Sequence, residues 1–159
     1  MKLPNTYSRD NRGFTLVEIL IGLAILLVLL GMGLFLSMDF YRGYAFRAEE
    51  KMLVSILHKA RTRSLANIEQ HEHGVKFTGS DFVIFEGQAP LTYASRIASL
   101  DEVFPANSAV NVIWPAPSEI VFDQVTGNVD SAFLTGDVIL SGQGKIATIS
   151  SNNEGRIDY

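Results

Sequence analysis

The feature that most constrains this chain is an uninterrupted apolar run of 20 residues, Ile19 to Met38, that carries no charge. As an α-helix, a run of this length extends about 30 Å, which matches the hydrocarbon core of a bilayer. The run therefore predicts a helix that spans a membrane. It leaves a short polar segment before the helix and most of the chain after it.

The segment before the run is polar and basic. Residues 1–13 contain Lys2, Arg9 and Arg12, and the positive-inside rule places such a segment in the cytoplasm and the residues after Met38 outside. A secretory signal peptide has an apolar stretch of about 7–15 residues, with its cleavage site after that stretch. Here the stretch is longer. Without further information, these residues fit a plain single-pass anchor with a short cytoplasmic tail.

One carboxylate stands at the beginning of the apolar run. Glu18 lies four residues after Phe14, and no other charge follows before Asp39. An unpaired charge at membrane depth is costly, so Glu18 is expected to have a specific partner. A simple anchor has no use for this carboxylate. The remaining alternative is a glutamate near the interface that reaches water.

The junction reads Arg12-Gly13-Phe14-Thr15-Leu16-Val17-Glu18. It resembles the processing site of type IV prepilins and type II secretion pseudopilins. The resemblance implies a leader peptide at residues 1–13, cleavage between Gly13 and Phe14, methylation of the new amino terminus on Phe14, and assembly into a helical filament.

The same resemblance implies partners and a location. The partners are other pilin or pseudopilin subunits, a prepilin peptidase and methyltransferase, the inner-membrane assembly platform and membrane lipid. The chain would first cross the inner membrane once, with its N-terminus cytoplasmic and its head outside. It would then enter an extracytoplasmic or surface filament.

Two pairings are open for Glu18 in subunit assembly. Residues four apart share a helix face, so the carboxylate can pair with the Phe14 amine of its own chain. In the family, the proposed partner is the amine of a neighbouring subunit, which aligns the incoming protomer. Both pairings neutralise the charge, and the sequence does not separate them.

Glycines in the apolar run predict a weak point in the helix. Many pilins carry a proline in this region, whereas this chain has none between Pro4 and Pro90. Glycine weakens a helix locally and also allows close helix approach in membranes. We therefore predict that Gly31 and Gly33 mark the place where the helix unwinds when it leaves lipid for the filament core.

Past Met38 the pattern becomes amphipathic and then strand-like. Apolar residues recur at spacings of three or four, which predicts that the helix continues over residues 39–70 and ends near Asn67–Gln70. These residues are Tyr41, Ala45, Ala48, Met52, Ile56 and Ala60.

Residues 71–159 alternate short apolar segments with turn residues, which is typical of a β-rich head. The predicted strands are a hairpin of Val75–Phe77 and Phe82–Phe85, followed by Ala109–Trp114, Glu119–Phe122, Asp137–Leu140, Ile146–Ile149 and Arg156–Tyr159.

We therefore predict an α+β, pilin-like fold. Its long N-terminal helix has a membrane-spanning first half, residues 14–38, and an amphipathic second half, residues 39–70. The second half packs on a small antiparallel β-rich head, residues 71–159. The helix end and the final strand resemble GspH/FimT-type minor pseudopilins and minor pilins.

The absence of cysteine bears on whether the chain is a major or a minor subunit. Many type IV major pilins close a C-terminal loop with a disulfide, and this chain contains no cysteine. The head must therefore hold by packing. This departure favours a minor pseudopilin or minor pilin over an adhesive major pilin.

No arrangement for catalysis stands out. The sequence shows no nucleophile-elbow pattern, phosphate-binding loop or cofactor motif. We predict that the chain is not an enzyme and takes no cofactor, and that it is instead the substrate of the prepilin peptidase. His71 and His73 would share a face of an extended chain, and Asp123, Asp130 and Asp137 lie near turns. Neither set matches a metal-site spacing, so we predict no metal site.

Two basic features raise the question of DNA. Residues 58–67 are locally basic, and such a run is more often the solvated face of a helix than a contact for DNA or acidic lipid. Minor pilins of DNA uptake can carry a Gly-Arg-x-Arg motif. Here Gly155 and Arg156 are followed by Ile157 and Asp158, so an acid replaces the second arginine. Arg156 remains a weak DNA-contact candidate in a chain of net charge −4.

These observations favour a minor pilin-like subunit that acts at or near a filament tip, as a priming or adaptor subunit. Three alternatives stay open. They are a major pilin that forms the fibre body, a DNA-binding minor pilin of DNA uptake, and a membrane-anchored domain that never polymerises.

Overall fold

The computed structural model describes residues 13–133 and 136–159, without the side chains of residues 34–42. Most of the predicted leader, residues 1–12, lies outside the described residues. The chain divides after Phe40 into two compact units. One helix, α1 (Leu16–Leu65), contributes to both. The N-terminal apolar helix and the antiparallel sheets that follow confirm the α+β fold class.

The helix ends slightly earlier than the sequence pattern predicts. α1 ends at Leu65, and Asn67 adopts a left-handed backbone conformation with φ of 52° and ψ of 41°. Asparagine tolerates this conformation better than most residues and commonly terminates helices. A single 3₁₀ turn, Ile68–Gln70, follows and leads into the first strand.

The buried stripe of α1 in the second unit is also shifted by about one residue. Ala48 is exposed, whereas Phe46, Leu53 and Leu57 are almost fully buried. Two neighbouring stripes of residues on α1 fit the helical period nearly equally well. The stripe with the larger side chains is the buried one, because its burial removes more apolar area from water. The predicted members Ile56 and Ala60 are buried in this core as well.

Among its described residues, the head contains eight strands in two antiparallel sheets. The first sheet has the order β3-β2-β1-β5 and the second has the order β4-β6-β7-β8. The bounds are β1 Glu72–Phe77, β2 Asp81–Gly87, β3 Glu102–Pro105, β4 Asn111–Ile113, β5 Glu119–Phe122, β6 Val138–Gly142, β7 Lys145–Ser151 and β8 Ile157–Asp158.

The strand predictions succeed where the sequence signal is local. The predicted hairpin forms, with Phe77 opposite Phe82 across the turn, and β5 has the predicted bounds. Strand β3 was not predicted, because its four residues begin with Glu102 and end with Pro105 and show no strand-like apolar run. It pairs with β2 at the edge of the first sheet, where proline is tolerated.

One apolar core joins the helix to both sheets. Leu53, Leu57 and Ala60 of α1 lie in a single cluster with Val75 and Ile84 of the first sheet and Leu140 and Ile149 of the second. A smaller cluster of Phe85, Leu91 and Val121 lies under the loop that follows β2. Since the chain has no cysteine, this packing carries the stability of the head.

Leu53 provides a test of this packing. The Leu53→Ala variant is expected to lower the free energy of unfolding by about 2–5 kcal/mol, because Leu53 is fully buried and the truncation leaves a cavity. The control Leu100→Ala, at a side chain that is 44% exposed, is expected to change it by less than about 0.5 kcal/mol. Urea unfolding followed by the fluorescence of Trp114 measures both. Equal effects would contradict the proposed core.

Candidate processing and assembly site

The predicted cleavage junction lies where α1 begins. Thr15 precedes the first helical residue, and its Oγ1 accepts a hydrogen bond from the Glu18 N–H at 3.2 Å. The Thr15 carbonyl accepts the first α-helical bond, from the Ile19 N–H. A threonine in this position caps the N-terminus of a helix. Gly13 and Phe14 therefore lie outside the regular helix and are both exposed.

Glu18 occupies the first turn of α1. The spacing of Thr15 and Glu18 is that of a capping box, in which the acidic side chain lies near the free N–H groups of the first turn. Those N–H groups carry partial positive charge and favour a carboxylate. The helix start therefore compensates part of the charge of Glu18, and a cationic partner would compensate the rest.

The surface of α1 after this junction is apolar and uncovered. Every described side chain from Phe14 to Gly33 is exposed, and Phe14 itself is 79% exposed. Leu16–Gly33 is long and apolar enough to cross a membrane, a property of length and composition that buried core helices and signal sequences can share. An apolar surface of this extent requires lipid or other apolar helices around it.

The two glycines predicted to unwind lie within the helix. α1 continues through Gly31 and Gly33 in the single chain. Apart from the adjacent residues and the backbone of the helix itself, no atom of the described residues lies within 4 Å of the position that a Cβ would occupy at either glycine. The surface at both positions is therefore open to a neighbouring helix, and unwinding in a filament stays a prediction.

The basic end of α1 is engaged inside the head. Lys59 and Arg63 both contact the carboxylate of Glu102 in β3, and the Arg63 bond measures 2.8 Å. The hydrogen bond from Lys59, together with the charges of both cations, lowers the pKa of Glu102. The interpretation of this run as a merely solvated helix face is therefore wrong for these two residues, which fasten the helix to the edge strand.

Arg61 makes a second attachment of the same helix end. Its guanidinium donates to the carbonyls of Gly127 and Glu154, at 3.4 and 2.8 Å. The neighbouring Gly155 has a φ of +71°, and a Cβ there would lie 1.9 Å from the Gly127 carbonyl oxygen. Glycine is thus required at this close approach.

The weak DNA-contact candidate is paired within its own turn. Arg156 donates to the Asp158 carboxylate through Nε and Nη2, at 3.0 and 2.9 Å. The carboxylate raises the pKa of the already cationic Arg156. The N–H groups with which this guanidinium would bind a phosphate are therefore already paired with Asp158.

A buried polar cluster joins the end of α1 to the first sheet. The His73 Nε2 lies 2.6 Å from a Glu86 carboxylate oxygen, and its backbone N–H donates to the Ser64 Oγ. Ser64 in turn donates to the Phe122 carbonyl. Burial lowers the pKa of His73, and the charge of Glu86 opposes that shift.

This cluster resembles a Ser-His-acid set in composition, but it is closed to substrates. Ser64 and His73 are both fully buried, and the Ser64 hydroxyl is committed to a backbone carbonyl. A nucleophile needs an exposed oxygen that its base can deprotonate. The cluster therefore acts as a structural tie. His73 lies within β1 and therefore belongs to a strand, not to the turn between α1 and the first sheet.

The other candidate ligands do not assemble into a metal site. Among the described residues, no group of three or more histidine, cysteine, aspartate or glutamate side chains is placed to hold a metal ion. Asp123 and Asp130 line one groove of about 470 Å³. Burial and the charge of Asp130 raise the pKa of Asp123, because both disfavour the ionised carboxylate.

Sequence reasoning missed several residues that organise these sites. Thr15 was detectable from the Thr-x-x-Glu spacing that precedes an apolar run. Glu86 and Glu102 gave no local signal, because their partners lie on other elements. Glu49 is similar, since it is buried in α1 and accepts a hydrogen bond from the Asn107 N–H at 3.0 Å; burial raises the pKa of this carboxyl.

Comparison with known proteins agrees with the junction geometry. Residues 8–34 match a family model described as the prokaryotic N-terminal methylation motif. The matched segment contains the capped junction and most of the uncovered apolar helix. No curated protein matches the chain significantly, and neither does any solved structure.

The match supports a type IV pilin-like precursor that is anchored in a membrane by its N-terminal helix. The motif implies assembly with other pilin subunits and processing by prepilin peptidase. The match ends at residue 34, so it does not extend to the head or to a GspH/FimT-type assignment.

The pairing of Glu102 gives a pH-dependent prediction. Glu102→Gln is expected to lower the free energy of unfolding at pH 7 by about 0.5–1 kcal/mol, since the carboxylate is about one-third exposed and water screens the pair. The folded-state pKa lies below its ordinary value of 4.5. The unfolded state therefore takes up this proton first, and the stabilisation is lost as pH falls through the folded-state pKa.

The matched control is Glu154→Gln, at an exposed glutamate. Urea unfolding of wild type and both variants between pH 7 and pH 3 measures the difference. A Glu102→Gln effect that stays constant over this range, or a control with the same profile, would contradict the assignment.

Proposed function

We propose that this chain is a structural subunit of a type IV pilus or type II secretion pseudopilus. Prepilin peptidase cleaves between Gly13 and Phe14, and the new Phe14 amine is methylated. The mature chain then leaves the membrane and joins a filament through its apolar helix. The single observation that carries this proposal is the match at residues 8–34, a segment whose described side chains up to Gly33 are all exposed.

The geometry of the junction fits this processing. A peptidase must bind an extended segment around the bond that it cuts, and Gly13 and Phe14 precede the regular helix. Apart from its two chain neighbours, no atom of the described residues lies within 4 Å of the position that a Cβ would occupy at Gly13. Thr15 caps the helix immediately after the bond, so cleavage would leave the helical segment intact.

Glu18 is the proposed assembly residue. After cleavage, the Phe14 amine is the nearest new cation in sequence to the first-turn carboxylate. Pairing within one chain or with the amine of a neighbouring subunit would satisfy the charge, and the second pairing would set the axial register of an incoming subunit. In this proposal, Gly31 and Gly33 supply the local unwinding that accompanies extraction from lipid.

Within this class we propose a minor, tip or priming role of the GspH/FimT type. The absence of cysteine and the resemblance of the helix end and final strand support it. The alternative is a major pilin of the fibre body. The DNA-uptake alternative gains no support, because Asp158 pairs with Arg156, and Glu102 pairs with Lys59 and Arg63.

Substitution at Glu18 tests the assembly role. In cells that make the filament, Glu18→Ala is expected to be processed normally but to fall at least about tenfold in the sheared filament fraction, because the partner charge is left unpaired in an apolar setting. The control Glu50→Ala removes a carboxylate elsewhere in α1 and is expected to assemble as wild type. Quantitative mass spectrometry of the filament and membrane fractions measures both.

Normal incorporation of Glu18→Ala would defeat the assembly role of this carboxylate. A wild-type chain that is absent from the filament fraction, although the filament itself forms, would defeat the proposed function. The same measurement counts subunits: a few copies per filament are expected for a minor subunit, and a majority share would contradict that assignment.

A further inference from the structure

A groove in the head lies between the two sheets and is separate from the junction and from the helix attachments. Its walls are the turn between β1 and β2, the segment 106–110 that connects β3 to β4 together with the first two residues of β4, and the end of β6. Its volume is about 770 Å³, which is within the range of small-molecule and cofactor sites.

The walls of this groove carry no ionisable side chain among the described residues that line it. This is unusual for a surface groove in a chain of which 19% is charged. A groove that binds an ionic ligand places an opposite charge in its wall. The lining therefore selects against phosphate, carboxylate and ammonium groups and favours an uncharged ligand.

The available hydrogen-bonding groups belong to side chains that both donate and accept. Asn111 and Ser108 are exposed in the groove. Asn111 lies opposite Ser141 in the β4–β6 pairing, and the Asn111 side-chain amide donates to the Ser141 hydroxyl over a long distance of 3.4 Å, which leaves hydrogen-bonding capacity on both side chains. Side-chain amides and hydroxyls of this kind match ligands whose own groups are donor and acceptor at once.

The backbone of the groove, in contrast, is largely occupied. Ala106 donates its N–H to the Ser80 carbonyl and Asn107 donates to Glu49, both at 3.0 Å. Ala109 and Val110 donate to the side chain and the carbonyl of Asn107. A peptide that binds as an added strand needs a free row of N–H and C=O groups. Segment 106–110 does not provide one, and β4, at the edge of the second sheet, has only three residues to offer.

An aromatic ring completes the lining. Phe77 is half-buried at the groove, and its ring stacks on Trp114 with an interplanar angle of 9° and 6.4 Å between centroids. The Phe82 ring lies closer, with 5.2 Å between centroids, and the two contacts together fix the orientation of the Phe77 ring. The backbone hydrogen bonds of residues 106–110 fix the opposite wall. Ordering of the site would therefore cost little free energy when a ligand binds.

We propose that this groove binds a neutral oligosaccharide. A sugar presents hydroxyls that donate and accept hydrogen bonds, and it has apolar C–H faces that pack on an aromatic ring. The amide and hydroxyl groups of Ser108, Asn111 and Ser141 would bind the hydroxyls, and Phe77 would pack against a C–H face. The proposal does not depend on processing or polymerisation.

The test uses the full chain in lipid nanodiscs, because alkyl glycoside detergents carry a sugar that would compete for the groove. The probes are immobilised maltotetraose, cellotetraose, chitotetraose and lacto-N-tetraose, with sialylated lacto-N-tetraose as the acidic match and neutral extended peptides as the competing class. We expect at least one neutral tetrasaccharide to retain the protein more strongly than sialylated lacto-N-tetraose does.

Asn111→Asp is the diagnostic variant, since it keeps the size of the side chain, replaces its donor and adds a charge. It is expected to weaken binding of the retained sugar by about tenfold, and Ser141→Ala is expected to weaken it several-fold. Asn153→Asp, the same change at an exposed position outside the groove, is expected to bind as wild type. Circular dichroism verifies that each variant is folded.

Three outcomes would overturn the proposal. They are no retention of any neutral tetrasaccharide, equal retention by wild type and both groove variants, and retention of peptides in place of sugars. None of them bears on the processing site, and loss of processing would not alter the expected sugar binding.

Discussion

The uncovered apolar surface of α1, with one carboxylate in its first turn, is the constraint on which the rest of this protein depends. Every described side chain from Phe14 to Gly33 is exposed. Such a surface persists only in lipid or against other apolar helices. Glu18 adds a second requirement, since the helix start compensates only part of its charge. The helix therefore needs lipid around its apolar surface, or, in the proposed filament, the apolar helices of neighbouring subunits.

The head is held together by an apolar core and by polar contacts among its own residues. One apolar core joins the second part of α1 to both sheets, and polar contacts fasten the helix end at three places: Lys59 and Arg63 to Glu102, Arg61 to backbone carbonyls, and Ser64 to His73 and Phe122. These contacts account for most of the basic run near the helix end. The head thus holds together without a disulfide.

The sequence predicts the local features of this structure and misses the distant ones. The long helix, the hairpin with Phe77 opposite Phe82 and strand β5 follow from periodicity and turn residues that are close in sequence. The division of the strands into two sheets and the place of β3 at an edge depend on pairings between distant segments. The same limit explains the site residues: Thr15 has a local spacing signal, whereas the Asn107 partner of Glu49 lies 58 residues away.

The intact mass and N-terminal sequence of the chain from membranes of cells that contain prepilin peptidase test the central claim most directly. The account predicts a chain that begins at Phe14 and carries one methyl group on its amine. When Gly13 is replaced by a bulky residue, the uncleaved precursor is expected in its place. A chain that still begins at Met1 in the presence of an active peptidase would contradict the account.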